Sequence, residues 1–257
     1  MDRLRAISRI RSSLSSGGSS IGSWMQIPNA SIAEIMGQAG YDWVAVDLEH
    51  GAISVNQLPD LFRALELGDT LPLVRLAEGT FKDCKHALDA GAGGVIVPMI
   101  ESAEQLAKVR DACRWPPAGT RGVGFSRANL FGKHFGDYNL EAQSPLLVAM
   151  IEHQRAVQNL ESILKVEGLD ALLIGPYDLS ASMNMTGEFD RPEFTNVLSE
   201  IFSIASRMGV PCGLHVVAPS ESELSERLRS GYRFLAYSID SVFLNHAVKR
   251  PSVGYSS

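Results

Sequence analysis

Cysteine is scarce in this 257-residue sequence: Cys84, Cys113 and Cys212 are far apart, odd in number and without CxxC spacing. That argues against a disulfide framework and reads as buried thiols in a reducing compartment. No apolar run approaches the roughly 20 residues needed to span a bilayer. The opening MDRLRAISRIRSSLSSGGSS lacks the continuous apolar core of a secretory signal. A basic stripe is missing too: 29 acidic and 23 basic residues are interspersed, for a net charge of -6, so neither nucleic acid nor membrane is an expected partner. A cytoplasmic protein with a small-molecule partner is expected. With 45% hydrophobic residues the chain can bury one large core or two small ones. No linker divides it, so residues 1–257 read as a single domain, 1–20 being a short helix and a flexible Ser/Gly connection.

What is present is a recurrence of short apolar runs, each followed by helical periodicity. The runs are IGSWMQ from Ile21, WVAVDLE from Trp43, PLVRL from Pro72, GVIVPMI from Gly94, LLVAMIE from Leu146, ALLIGP from Ala171, GLHVV from Gly213 and FLAYSID from Phe234. Helices are predicted at Ser31–Ala39, Phe81–Ala90, Ala103–Cys113, Ala156–Val166, Phe194–Met208 and Ser222–Arg229. Gly40, Gly91, Gly168, Gly209 and Gly231 stand where helices should stop. Strands apolar on both faces and alternating with helices call for a parallel sheet covered by helices. About eight such units in this length make a TIM-type (β/α)8 barrel the leading architecture. A doubly wound open sheet is the alternative, but no Gly-rich nucleotide turn follows the first strand. The irregular stretch Trp115–Ser144 reads as a lid or a contact segment.

A parallel barrel carries its active site at the carboxyl ends of its strands. There stand Asp47, Glu49 and His50 after the second strand, Arg75 in the third, Glu152 and His153 after the fifth, Gly175, Pro176, Tyr177 and Asp178 after the sixth, and His215 in the seventh. Glu152 and Asp178, at adjacent strand ends, suit a hard divalent cation, Mg2+ or Mn2+ with Co2+ as an alternative. A 2-oxo acid would complete its shell, and Arg75 would neutralise the oxyanion. The plainer alternative makes Glu152 a helix-terminal charge and Asp178 an N-cap. His50 is a candidate proton carrier or an exposed loop histidine. Asp89 could orient it only if the fold brings the two together. His153 and His215 are either participants or packing residues. No lysine lies on a strand, which disfavours Schiff-base chemistry.

The segments GYDWVAVDLEHG (Gly40–Gly51), LVR (Leu73–Arg75), ALDAGAGGVIVPMIESAEQ (Ala87–Gln105), WPPAGTRGVG (Trp115–Gly124), MIEHQRAVQNL (Met150–Leu160) and GPYDLSASM (Gly175–Met183) resemble the HpcH/HpaI aldolase family. The resemblance runs in order from about Gly22 to Asp240. It implies a phosphoenolpyruvate/pyruvate-type barrel with a swapped C-terminal helix, in a homo-oligomer, a hexamer built as a trimer of dimers. It further implies a metal-dependent pyruvate aldolase without nucleotide, in which Glu152 and Asp178 hold the metal and Arg75 contacts pyruvate. His50 paired with Asp89 would then serve the acid–base step. Gly175 and Pro176 backbone groups would hold the carboxylate, and Trp24, Asp47, Val123, Met150, Tyr177 and Leu214 would complete the substrate pocket. Many family members have glutamine at Met150, a small residue at Tyr177 and threonine or serine at His153. The expected reaction joins or splits a 2-oxo acid and an aldehyde, with a 2-keto-3-deoxy sugar acid as the substrate type. The alternatives are an enolate-condensing synthase and a non-catalytic 2-oxo-acid sensor.

Overall fold

The computed structural model describes residues 1–252. The strands are β1 (Ser20–Met25), β2 (Trp43–Asp47), β3 (Leu71–Arg75), β4 (Gly94–Val97), β5 (Leu146–Ile151), β6 (Ala171–Ile174), β7 (Cys212–Val216) and β8 (Phe234–Ile239). They pair in sequence order, all parallel, and β8 closes on β1. The helices are α1 (Arg3–Ser15), α2 (Ala30–Gly37), α3 (Leu58–Leu67), α4 (Phe81–Asp89), α5 (Ala103–Cys113) and α6 (Phe135–Ala142). They continue with α7 (Gln154–Gln158), α8 (Leu160–Leu164), α9 (Pro176–Ser182), α10 (Pro192–Met208), α11 (Glu221–Arg229) and α12 (Asp240–Ala247). The fold is the TIM-type barrel, and the open-sheet alternative falls.

Both faces of each strand are covered, which is why the runs are apolar throughout rather than alternating. Trp43, Ala45, Leu71, Leu73, Val148 and Phe234 fill the barrel interior. Val44, Val46, Val74, Ala149 and Leu172 face the helices. Near the amino end, Trp43 stacks on Phe234 with centroids 4.6 Å apart. Gly22 makes room for this stack, since a Cβ there would lie 2.0 Å from the Trp43 ring.

Helix α1 closes that end of the barrel. Asp2 caps it by accepting from the Arg5 N–H, and Ala6, Ile7, Ile10 and Leu14, one face at helical spacing, join the interior core. Arg11 ties the helix to Asp170 at 2.6 Å and Arg3 ties it to Glu141 at 2.7 Å. The carboxyl end is left as the open mouth.

Two expectations change. The predicted helix Ala156–Val166 breaks at Asn159, whose φ of -99° and ψ of 8° are non-helical; its side-chain amide instead donates to the Glu101 carbonyl at 2.9 Å. The stretch Trp115–Ser144 contains a 3-10 turn at Arg127–Gly132 and α6. It packs around Trp115, Ala128, Tyr138 and Ala142 beside α1, so it is no lid over its own barrel's mouth. The five helix-stopping glycines all have positive φ; Gly209, at +71°, ends α10 in the left-handed conformation that a Cβ disfavours. All three cysteines are buried and free. Among the described residues no helix is long and apolar enough to cross a membrane.

Candidate active site

Alternation carries the inward-facing positions past the last apolar residue of each strand. After Trp43 and Ala45 comes Asp47; after Leu71 and Leu73 comes Arg75; after Val148 and Met150 comes Glu152. These groups meet at the mouth, around a cavity of about 290 Å3. Trp24, His50, Arg75, Met150, Glu152, Gly175, Pro176, Tyr177 and Asp178 all line it, as expected. So do Gln26, Ile174, His215, Val217 and Ile239. Of these His215 was already among the candidates at the strand ends, and Gln26 was legible as the polar end of the first apolar run.

Asp47 does not line the cavity. It is fully buried behind Arg75, accepting from Nε at 2.9 Å and from Nη2 at 2.6 Å. Its Oδ1 also receives the backbone N–H groups of Glu49 and His50, and its Oδ2 the Gln26 amide. Burial raises the Asp47 carboxyl, but the Arg75 hydrogen bonds and charge, with Gln26 and the His50 N–H, hold it below its ordinary value. Asp47 therefore orients Arg75 and the His50 turn. Glu49 takes the remaining terminal nitrogen, Nη1, at 2.9 Å; burial pushes its carboxyl up against the pull of Arg75.

Glu152 is 2% exposed and has no cationic partner within ion-pair distance among the described residues. Its Oε2 accepts the Met99 N–H at 2.9 Å. Met99 is held at a φ of +51°, a left-handed backbone that a non-glycine residue adopts at a cost of about 1 kcal/mol or more. On the other side Glu152 lies against Gly175, where a Cβ would come within 2.3 Å of Oε1. Burial pushes the Glu152 carboxyl up to about 7, against the Met99 hydrogen bond and with Glu49 and Asp178 adding to the rise. Asp178 is exposed in the first turn of α9, whose N-cap is Gly175. Asp178 is therefore not the N-cap that the plainer reading made it, while Glu152 does stand beside a helix start, directly before His153, the N-cap of α7.

His153 caps α7 by accepting the Arg155 N–H at 3.1 Å and stays outside the cavity lining. His215 is inside: its ring stacks on Trp24 at 5.1 Å, and the Arg75 guanidinium lies 5.4 Å from the centre of the same indole.

Three expectations are corrected. Leu214 belongs to the outer core between strand and helix, because the register of β7 turns His215 inward instead. Asp89 ends α4, which runs back from the mouth, so it sits at the amino end of the barrel. A five-residue strand at about 3.3 Å per residue puts His50 and Asp89 roughly 16 Å or more apart in one chain. Asp89 pairs there with buried Arg121 at 3.2 Å. Val123 is 54% exposed on the same segment as Arg121, away from the cavity.

Residues 20–247 match the HpcH/HpaI aldolase/citrate lyase family. The chain belongs to that family. It is 36% identical over 242 residues, 93% of each chain, to the hydroxypyruvate/pyruvate aldolase of Roseobacter denitrificans. It is 34% identical to the 2-keto-3-deoxy-L-rhamnonate aldolase of Klebsiella pneumoniae, over 91% of this chain and 88% of that one. An HpcH/HpaI aldolase/citrate lyase family protein of Burkholderia cenocepacia superposes with a TM-score of 0.87 at 29% identity, covering 93% and 95% of the two chains. As a member of the HpcH/HpaI family with aldolase relatives of this similarity, the protein is a carbon–carbon lyase of the aldolase kind.

Proposed function

We propose that this HpcH/HpaI protein is a divalent-metal-dependent aldolase that splits a 2-oxo-4-hydroxy acid, of the 2-keto-3-deoxy sugar acid type, into a small 2-oxo acid and an aldehyde. The observation that carries this is Glu152: a buried carboxylate with no cation paired to it among the described residues, in one cavity with Asp178 and a guanidinium held on one side by Asp47. Burying a charge in that way is costly unless a counter-ion is present. Among the described residues no cluster of three or more His, Cys, Asp or Glu side chains is suited to a metal. A cation here would thus draw on Glu152 and Asp178 and otherwise on water and substrate oxygens, which suits Mg2+ or Mn2+. When bound, that ion supplies Lewis-acid polarisation of the 2-oxo group.

The chain's own residues supply the rest. Asp47 accepts from two of the five N–H donors of Arg75, and Glu49 stands within ion-pair distance of Nη1, leaving the other donors for the substrate oxygen on which negative charge develops. His50, at the rim, takes the proton of the 4-hydroxyl. The C3–C4 bond then breaks, its electron pair going to C3 as the aldehyde leaves, and C3 is reprotonated. The substrate carboxylate needs N–H donors; Pro176 has none and the Gly175 N–H is given to the Ile151 carbonyl, so the backbone N–H groups of Tyr177 and Asp178, next in the chain, take it, and Met150, Trp24 and Tyr177 bound the space for the aldehyde. Asp89 joins His50 only across two copies of the chain. The exposed apolar residues Val123, Phe125 and Phe131 near it support a homo-oligomer in which one copy completes another's cavity.

The test is 2-oxo-acid release from 2-keto-3-deoxy sugar acids by metal-stripped protein, with and without added Mg2+ or Mn2+. Metal-dependent release that disappears in Glu152→Gln is expected. Binding of metal and pyruvate with no release from any substrate would redirect the reading to an enolate-condensing synthase.

A further inference from the structure

The cavity that holds the carboxylates and Arg75 is also lined by the apolar side chains of Met150, Ile174, Val217 and Ile239, and by one further polar ring, His215. That ring is built into place. Its Nε2 lies 3.1 Å from the Ser238 carbonyl, and a carbonyl only accepts, so Nε2 carries the proton and Nδ1 keeps its lone pair. Ser238 is held at a φ of +55°, a left-handed conformation for a non-glycine residue, and its hydroxyl is anchored on the Val217 carbonyl at 2.9 Å. Strain of this kind persists where the surroundings impose it, and here it aims the carbonyl at His215.

Among the described residues nothing hydrogen-bonds Nδ1, and the atom is not sealed in the core, so its lone pair opens onto the cavity that the ring lines. The neighbouring polar groups are not its partners. Gln26 is engaged by Asp47 and Ser241, and the Trp24 indole N–H is buried without an acceptor while its ring stacks on the imidazole. A role in proton transfer does not fit: burial, with Arg75 nearby, pulls His215 down to about 4, so it stays neutral near pH 7.

We propose that His215 is a specificity-determining residue: its Nδ1 accepts a hydrogen bond from an aliphatic hydroxyl of the substrate, so that hydroxylated components are preferred to deoxy ones. The inference rests on the aldolase reading above. The hydroxyl has two sources, the carbon next to the ketone of the 2-oxo acid or the carbon next to the aldehyde. A buried acceptor left unpaired by a deoxy substrate discriminates against it, where an apolar wall would tolerate both.

The experiment compares kcat/KM ratios of the metal-loaded protein in two arms: 3-hydroxypyruvate against pyruvate with one fixed aldehyde, and glycolaldehyde against acetaldehyde with pyruvate. The wild type should favour the hydroxylated member by about tenfold in at least one arm. That ratio should collapse in His215→Phe, which keeps a ring on Trp24 but has no acceptor, and survive in His215→Asn, which can donate to Ser238 and still accept. No preference in either wild-type arm, or an equal ratio in wild type and His215→Phe, overturns the proposal. Absence of turnover with every pair would sink the aldolase reading itself, and this inference with it.

Discussion

Asp47 and Arg75 are register partners on adjacent strands β2 and β3, and their side chains form a two-point ion pair at 2.9 and 2.6 Å inside the barrel. The pairing fixes the plane of the guanidinium and, through Asp47 Oδ1, the backbone that carries His50. Asp47→Asn leaves Arg75 with Glu49 as its one remaining anionic partner. Breaking a buried pair typically costs about 3–5 kcal/mol, and Glu49 keeps the loss at the lower end. We expect urea denaturation to show about 3 kcal/mol less stability, and KM for the 2-oxo acid to rise together with a fall in kcat. Unchanged stability and KM would contradict the positioning role.

Glu152 and His215 should oppose each other in the pH dependence of metal-free stability. Glu152 is raised from 4.5 to about 7 on folding, so its contribution is fully present below pH 4.5 and is lost as pH rises through 7. His215 is lowered from 6.5 to about 4, so its contribution is present above 6.5 and is lost as pH falls through 4. Between about pH 4.5 and 6.5 each changes stability by about 1.4 kcal/mol per pH unit, with opposite sign. Removing Glu152 as Glu152→Gln should therefore make stability climb more steeply with pH across that window than in the wild type, while His215→Asn should do the reverse. Parallel urea-midpoint profiles for all three proteins would refute it.

Gly175→Ala places a methyl 2.3 Å from Glu152 Oε1 and 2.7 Å from its Cγ. The backbone there is fixed between β6 and α9, so the carboxylate must swing away. Overpacking of this kind costs about 1–3 kcal/mol. Mg2+ or Mn2+ affinity, read by calorimetry, should fall about tenfold or more, since about 1.4 kcal/mol is a factor of ten. An unchanged affinity would mean that this face of Glu152 is not used.

Activity should be recoverable by mixing two inactive proteins. If Asp89 of one copy serves His50 of another, His50→Ala and Asp89→Ala are each deficient, yet co-refolded mixtures contain some cavities with both wild-type residues. Restored turnover in the mixture, absent from either variant alone, is the expected result. No recovery, with size-exclusion showing mixed oligomers, would assign Asp89 to its Arg121 pair alone.

Much of this molecule was written into local pattern. The eight apolar runs, the glycine stops and the polar residues that end the strands depend on spacings of two to four residues, so Arg75, Glu152, Asp178 and His50 could be placed at one mouth before any contact was known. Alternation within β7 also held the signal that separates His215 from Leu214, since neighbouring residues on a strand face opposite layers; only the closed register showed which of them was inside. Other features rest on contacts between residues far apart in the chain. Asp47 became a support for Arg75 because β2 and β3 align them. Asp89 and Val123 moved to the far end because α4 and α5, which lead to them, run antiparallel to the strands. Helix α1 became the floor of the barrel, and the left-handed turns at Met99 and Ser238 came to point at Glu152 and His215. The sequence by itself determined which groups the site contains, because period and punctuation are local properties. Tertiary structure decided which of them face the cavity and which hold the others in place, because that depends on strand register and packing across the closed barrel.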